Sequence, residues 1–547
     1  MADAKYDAIV IGGGHHGLII ACYLQKVGMK TVIFERASKL GGGVTTEEGP
    51  LPGFKLNPCA NWTRFYGHPA YKDFNLREKG LEYIFPEENE AMIFDNDTCY
   101  VGYTALKVVD AETGKTEISH ENLQKTLNEI RKFSSRDADT AEELFRRYVT
   151  KWKDAMKKYR FSPPVPYGEK NELEKLCDDP KDGFEPVWQY MTTQQLAFDI
   201  FESEELRTLF IRAAMTSFGG APHDVIGLHG LVHALSLVLA WEPAAIPKGG
   251  SEAITEALKK AFVEMGGEFF LNSEVVKLLH KDGIAKGVRL KDGTEIEAQQ
   301  LVVGDISATQ AVQLIGEEFL DPKIVRRVKN IRYDRHNVIW AVFAVHELPK
   351  YKAASFNPDC QKAPRTYVGP RNADYLANLY LSEIYLKGIA SKLFMFMGPD
   401  TIWDPSRAPE GKHVIGIEEF SAPVRFFSPS RWQEIRVEFE REIIRQWQWY
   451  APNMTRENVI ACKIYTPYDI SLAHPNMHEG SIACGDMIVS QMDRFRPIPE
   501  MAHYRTPIKN FYLCSSATHN GVGTGRGCSY NCFQVICKDF GIKFEGQ

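Results

Sequence analysis

What this sequence lacks narrows it first. No apolar stretch reaches the roughly 18–20 uncharged residues that a membrane-spanning helix needs. The opening MADAKYDAIV has no charged-then-apolar order of the kind a secretory leader shows. There is no basic run and no basic patch interleaved with aromatics, and 65 Lys and Arg face 71 Asp and Glu, a net charge of -6. Nucleic acid is therefore not an expected partner. The 11 cysteines are odd in number and scattered, without a C-x-x-C pair, so neither a disulfide framework nor a metal site is expected, even at Cys528, Cys532 and Cys537. Tandem repeats and low-complexity linkers are also absent. The chain is expected to be cytoplasmic, with a peripheral membrane contact at most.

What is present is ordinary globular composition, 44% hydrophobic and 25% charged, over 547 residues. Single cores rarely grow past about 250–300 residues, so two or three structural units are expected. YDAIVIG is short, β-branched and ends in glycine, as a buried parallel strand does. Gly12, Gly14 and Gly17 follow as G-x-G-x-x-G, then the helical pattern LIIACYLQKVG, then a second strand, TVIFE, ending at Glu35. The order strand, glycine loop, helix, strand, acid is the dinucleotide-binding unit. Gly12 permits the tight turn, Gly14 lets backbone approach a pyrophosphate, and Gly17 allows the helix to lie close to the strand. Glu35 can accept hydrogen bonds from ribose hydroxyls. A second glycine cluster, Gly41 to Gly43, comes directly after. It suits FAD better than NAD, and no second nucleotide unit occurs later.

The rest of the chain reads as an interleaving. Residues 71–245 form a long insertion, with helical spacing over 121–160 and 194–215. The apolar segment 228–243 is expected to be a buried helix, the alternatives being a tunnel wall or a membrane-touching face. From 247 a helix and several short strands return to the nucleotide unit, with a D-G hairpin at 292–293 and Val275 backbone facing the adenine. NVIWAVFAVHEL is a strand and PSRWQEIRVEFEREIIRQWQWY an amphipathic helix of a second visit to the other unit. NFYLCSS, near the C-terminus, leads into a polar glycine-rich loop and another helix. There Gly523 and Gly525 would let backbone approach a flavin, with the helix N-terminus facing its pyrimidine end. Residues 1–70, 245–310 and 461–547 are assigned to the nucleotide domain, and 71–244 and 311–460 to a discontinuous substrate domain.

These stretches carry a resemblance. DAIVIGGGHHGLIIACYL, GGGVTTEEGPLPGFK, FSSRDADTAEEL, IPKGGSEAITEAL, WDPSRAPEGKHV, TPYDI, CGDM and YRTPIKNFYLC make the chain similar to the phytoene desaturase-related FAD oxidoreductases. It is most similar to their pyridine nucleotide-disulfide oxidoreductase-domain branch. The resemblance implies an α/β fold: a Rossmann-type FAD-binding domain of the glutathione-reductase-like class with an interleaved α+β substrate domain. It implies non-covalent FAD and redox or isomerisation chemistry at carbon–carbon bonds of a hydrophobic or aromatic small molecule. Gly12, Gly14, Gly17, Glu35, Gly41 and Gly42 match the family's nucleotide contacts. His15, His16, Arg36, Gly43, Val275, Asp486, Ser516, Thr518, Gly523, Thr524 and Gly525 are further candidate cofactor contacts. Departures cluster at the expected flavin face: Ser515, Ala517 and Val522 stand where relatives have glycine, Asn520 where they have proline, and Gly43 where many have arginine. The family's usual substrate therefore does not carry over.

Catalytic candidates are few, because flavin chemistry needs mainly positioning and exclusion of water. His519 has a side chain suited to proton transfer, its alternative being a hydrogen-bonded loop histidine. Arg526 can bind an anionic substrate, offset flavin charge or form a structural ion pair. Tyr530 begins the last helix. His474, His478 and Glu479 have a spacing that would suit a metal on a helix, but Pro475 argues for a loop. Three readings stand: an FAD-dependent desaturase or dehydrogenase, a redox-neutral flavin isomerase, and a non-catalytic flavin-bound scaffold. The electron acceptor is open among oxygen, a quinone and a redox protein. His15 and His16 fall at the pyrophosphate end of the expected FAD, away from the reacting ring. His16→Asn should therefore change FAD affinity modestly and leave turnover of the loaded protein intact; loss of turnover with FAD fully bound would contradict this.

Overall fold

The computed structural model describes residues 5–544. Its first sheet is built on Tyr6–Ile11, whose apolar run is buried almost throughout, as both faces of a central parallel strand demand. Five parallel strands lie in the order Glu268–Phe270, Thr31–Phe34, Tyr6–Ile11, Glu295–Gly304, Phe511–Leu513. Three segments far apart in sequence thus meet in one sheet. Glu295–Gly304 is long enough to pair twice. Its first half takes Ile284–Leu290 in antiparallel register through the turn at Asp292 and Gly293, and that strand pairs in turn with Val275–Lys281. Helices His15–Lys26, Glu252–Glu264 and Cys528–Phe540 share one core with a face of this sheet.

The second sheet has seven strands, in the order Val459–Tyr465, Val338–Val345, His413–Phe420, Met395–Gly398, Arg365–Gly369, Glu88–Phe94, Cys99–Tyr103. All neighbours are antiparallel except Arg365–Gly369 and Glu88–Phe94. Helices from the insertion cover it: His120–Arg131, Ser135–Arg147 and Lys153–Arg160 within the first helical stretch, Thr193–Ile200 and Glu204–Phe218 within the second. Gly227–Val238 is a buried helix, and no helix among the described residues is long and apolar enough to cross a membrane. The long helix Pro429–Tyr450 starts where the Ser428 side chain accepts from the Arg431 N–H. All 11 cysteines are free thiols, and Cys528, Cys532 and Cys537 are buried.

The first strand and first helix are held close by absent side chains. A Cβ on Gly17 would collide with the Gly12 carbonyl oxygen, which is backbone and cannot move aside cheaply. Gly17→Ala should cost about 1–3 kcal/mol as an overpacked contact. The expected readout is a lower thermal midpoint of the cofactor-free protein; an unchanged midpoint would show that the helix has room to shift.

Candidate functional site

The turn after the first strand is set by Gly12, whose φ of +93° is closed to most side chains. Its N–H donates to the Phe34 carbonyl at 2.9 Å, binding the turn to the second strand. The N-cap of the helix that begins at His15 is Gly14, which has no side chain to cap it, and the helix's own first turn contains no acidic residue. Its end therefore presents donors and a partial positive charge outward. Glu35 braces the loop from below, one oxygen accepting the Gly13 N–H at 2.7 Å and the other the Ala37 N–H at 2.8 Å. Each oxygen retains a second lone pair for another donor. The second glycine cluster lies directly against the first: Gly41 N–H donates to the Gly13 carbonyl at 2.8 Å, and a Cβ on Gly42 would sit 3.2 Å from Gly14 Cα.

Asp305, which sequence reasoning missed, belongs to this loop. It follows the parallel strand Glu295–Gly304 directly, and its Oδ2 accepts the Gly17 N–H at 3.0 Å. Burial, with help from the Glu35 charge, pushes its carboxyl up to about 7. The available signal was an acid at the carboxyl end of a strand next to the nucleotide strand. The rings of His15 and His16 lie tilted against each other with centroids 3.9 Å apart. Burial holds His15 down at about 4 and His16 well below its usual value, so both are neutral imidazoles near neutral pH. His16 Nδ1 lies 3.2 Å from Ser529 Oγ, while the Nε2 atoms of both rings are buried without a protein partner.

A cavity of about 1000 Å³ runs from this loop into the second sheet. One end is walled by Glu35, Arg36 and Val275, and the other by Trp62, Trp340, Tyr367, Phe396 and Glu418. The far wall follows from strand register. Trp340 pairs with Glu418, Glu418 with Phe396, and Phe396 with Tyr367, so the four form one cross-strand row on one face. Gly398 and Gly416 also face each other across neighbouring strands. A Cβ on Gly416 would lie 2.7 Å from the Trp340 ring and one on Gly398 would collide with Trp62, so the paired glycines make room for both indoles. None of this row was singled out from sequence, since the partners come from strands far apart in the chain.

The candidates from sequence divide. Gly12, Gly14, His15, His16, Glu35, Arg36, Gly42, Gly43, Val275, Ser516, Gly523, Thr524, Gly525 and Arg526 line the cavity. Gly17 and Gly41 instead shape the loop behind it. Asp486 lies outside the wall, buried against Arg332 Nε at 2.6 Å and the Arg335 N–H at 3.0 Å. Thr518 turns its hydroxyl to the Ser515 carbonyl at 2.7 Å. Of the catalytic candidates, His519 is buried behind the wall, with Nε2 3.3 Å from the Tyr159 carbonyl and its ring edge-on to Tyr159. Tyr530 points among Tyr23, His68 and Phe161. Only Arg526 of the three faces the cavity. His474 ends the short helix Pro467–Ala473, and no group of three or more metal-ligating side chains occurs among the described residues.

Glu418, flanked by aromatic rings, is desolvated, and burial pushes its carboxyl up to about 7 against the pull of Arg212. One of its oxygens has no protein partner. The folded chain keeps this proton where the unfolded chain, titrating near 4.5, has lost it. Stability from this group is therefore present below about pH 4.5 and lost as pH rises towards 7. Glu418→Gln removes that loss. The variant's stability relative to wild type should rise by about 3 kcal/mol between pH 4.5 and 8. Thermal midpoints across that range test it, and parallel curves for the two proteins would refute the assignment.

The comparisons agree with this architecture. The model of the family described as flavin containing amine oxidoreductase matches residues 17–528. One subunit of the limonene dehydrogenase of Castellaniella defragrans is 25% identical, over 99% of this chain and 96% of its own. Mouse pyridine nucleotide-disulfide oxidoreductase domain-containing protein 2 is 25% identical, over 98% and 94%. A lycopene-forming phytoene desaturase of Pseudescherichia vulneris is 25% identical, over 94% and 95%. Putrescine oxidase bound to putrescine has the same fold, at TM-score 0.58 and 14% identity, over 99% of this chain and 100% of that one. With a Rossmann-type nucleotide domain, a substrate domain and a family match across nearly its whole length, this chain belongs to the flavin-containing amine oxidoreductases.

Proposed function

We propose that the chain binds one FAD non-covalently along the cavity and acts on a carbon–carbon bond of a hydrophobic or aromatic small molecule. The observation that carries this reading is a single cavity joining a dinucleotide loop to an aromatic wall. The residues fit the cofactor. The glycine N-cap of the helix and the unpartnered Nε2 atoms of His15 and His16 suit a pyrophosphate. The meeting of Gly14 and Gly42 leaves no Cβ in the way. Glu35 would take ribose hydroxyls, and Gly523 to Gly525 would present backbone to the ring system. When bound, FAD supplies hydride exchange at flavin N5.

The chain's own groups supply position and dryness. Trp62, Trp340, Tyr367 and Phe396 would orient an apolar body and exclude water from it. Trp62 and Phe396 stand with ring centroids 4.8 Å apart, and Phe396 stacks on Tyr367 at 4.7 Å. Glu418, whose carboxyl burial pushes up to about 7, lines that chamber and is placed to give or take a proton there.

The purified protein should be yellow, with flavin absorbance. An unsaturated or saturable substrate should change that absorbance without oxygen, with a product differing by two hydrogens. Colourless protein that cannot be reconstituted with FAD would remove this reading. Substrate and product of equal mass would replace it with a redox-neutral isomerase.

A further inference from the structure

The same cavity has a strongly cationic side. Arg64, Arg160, Arg365 and Arg526 all line it. His233, on the same wall, feels all four, and burial together with their charges holds its imidazole well below its usual value. Arg365 has a carboxylate, Glu90, at 2.9 Å. The other three have none within ion-pair distance among the described residues. Arg64 is fixed by backbone, donating to the Pro243 and Glu242 carbonyls at 3.1 Å each. Arg526 is 5% exposed, donates to the Val522 carbonyl at 3.2 Å and otherwise meets the neutral ring of His229. Arg160 Nε is buried without a partner. The carboxylate of Glu242 is engaged by the Tyr148 hydroxyl at 2.5 Å.

We infer that Arg64, Arg160 and Arg526 form a subsite for an oxyanion carried by the substrate, a carboxylate or a phosphate. Guanidinium groups drawn together on a cavity wall without a carboxylate at ion-pair distance are unfavourable, and paired oxygens match their forked donors. Burial and the nearby Arg160 push Arg526 down to about 9, the direction expected of a cation lacking its counter-charge. The residues of the subsite come from elements other than the expected pyrophosphate loop. Arg160 ends the insertion helix Lys153–Arg160, and His229 and His233 come from Gly227–Val238, whereas the pyrophosphate loop is Gly12 to Gly17. It also adjoins the aromatic row. Arg365 stands two residues from Tyr367 on one strand and so shares its face. A substrate with its apolar body along that row and its anionic head among the arginines satisfies both walls. This rests on the proposed FAD-dependent function.

The test uses FAD-loaded protein and three probes with one ten-carbon unsaturated skeleton: geranate, geranyl phosphate and geraniol. Binding is read by calorimetry and by the flavin difference spectrum. At least one anionic probe should bind ten-fold or more tighter than geraniol, and comparison of the two identifies the head group. Arg160→Gln and Arg526→Gln should each weaken the anionic probe ten-fold or more, leaving geraniol affinity and FAD content unchanged, and Arg160→Lys should restore part of the loss. Failure of both anions to outbind geraniol overturns the subsite, a comparison that needs no variant to fold. So does equal weakening of all three probes, or loss of FAD from the variants. Wild-type protein that takes no FAD overturns the parent function and this inference with it, whereas a yellow wild type without anion preference overturns the subsite alone.

Discussion

Much of this molecule depends on the close approach of its first helix to the end of its first strand. Gly17 lies against the Gly12 carbonyl, and Asp305 accepts the Gly17 N–H from the neighbouring strand. That contact aims the helix end into the cavity. It also helps fix the register of two parallel strands drawn from distant parts of the chain, since Asp305 N–H donates back to the Ile11 carbonyl at 2.8 Å. A bulkier residue at either glycine would move the helix, and with it the donors that a dinucleotide phosphate requires.

The nucleotide half was legible because its signals are local. Strand, glycine loop, helix and acid follow one another within residues 6–35, and the D-G hairpin lies in the turn expected of it. The aromatic row was not legible. Tyr367, Phe396, Glu418 and Trp340 share a face only because strands 365–369, 395–398, 413–420 and 338–345 pair in that order, and no spacing within one strand reveals a cross-strand register. Gly398 and Gly416 offered a weak signal, as glycines inside strands that mark a close approach. Of the two readings open for His519, proton transfer and a hydrogen-bonded loop histidine, its contact with the Tyr159 carbonyl fits the second. Its place in a glycine-rich loop suggested exposure to the cofactor, yet the loop folds inward at that point.

That inward fold has a physical cause in Arg496. Its buried guanidinium has no carboxylate partner among the described residues and donates instead to the carbonyls of Ala483, Ser516 and Thr518, at 2.7, 2.9 and 3.1 Å. The Tyr504 hydroxyl donates to the His519 carbonyl at 2.6 Å. Residues 516–519 are thus tied down by their own backbone oxygens, the Thr518 hydroxyl is spent on the Ser515 carbonyl, and His519 Nε2 turns to the Tyr159 carbonyl. Backbone beyond Gly521 is free of these ties and turns towards the cavity, which is why Gly523 to Arg526 face it.

The two arginine environments explain each other. Arg496 is satisfied by a cage of carbonyl dipoles that a folded loop supplies permanently, so its charge needs no ligand. Arg526, thirty residues later on the same return of the chain, meets one carbonyl, a neutral imidazole and two further guanidinium groups. Carbonyl dipoles fixed by the fold solvate a cation in the absence of any substrate, whereas a cluster of like charges does not solvate itself. A cavity wall that gathers the second kind of arginine beside an aromatic row therefore offers one apolar and one cationic region. Under the proposed subsite, that arrangement would orient an amphipathic molecule end to end before any contact with a reacting group is made.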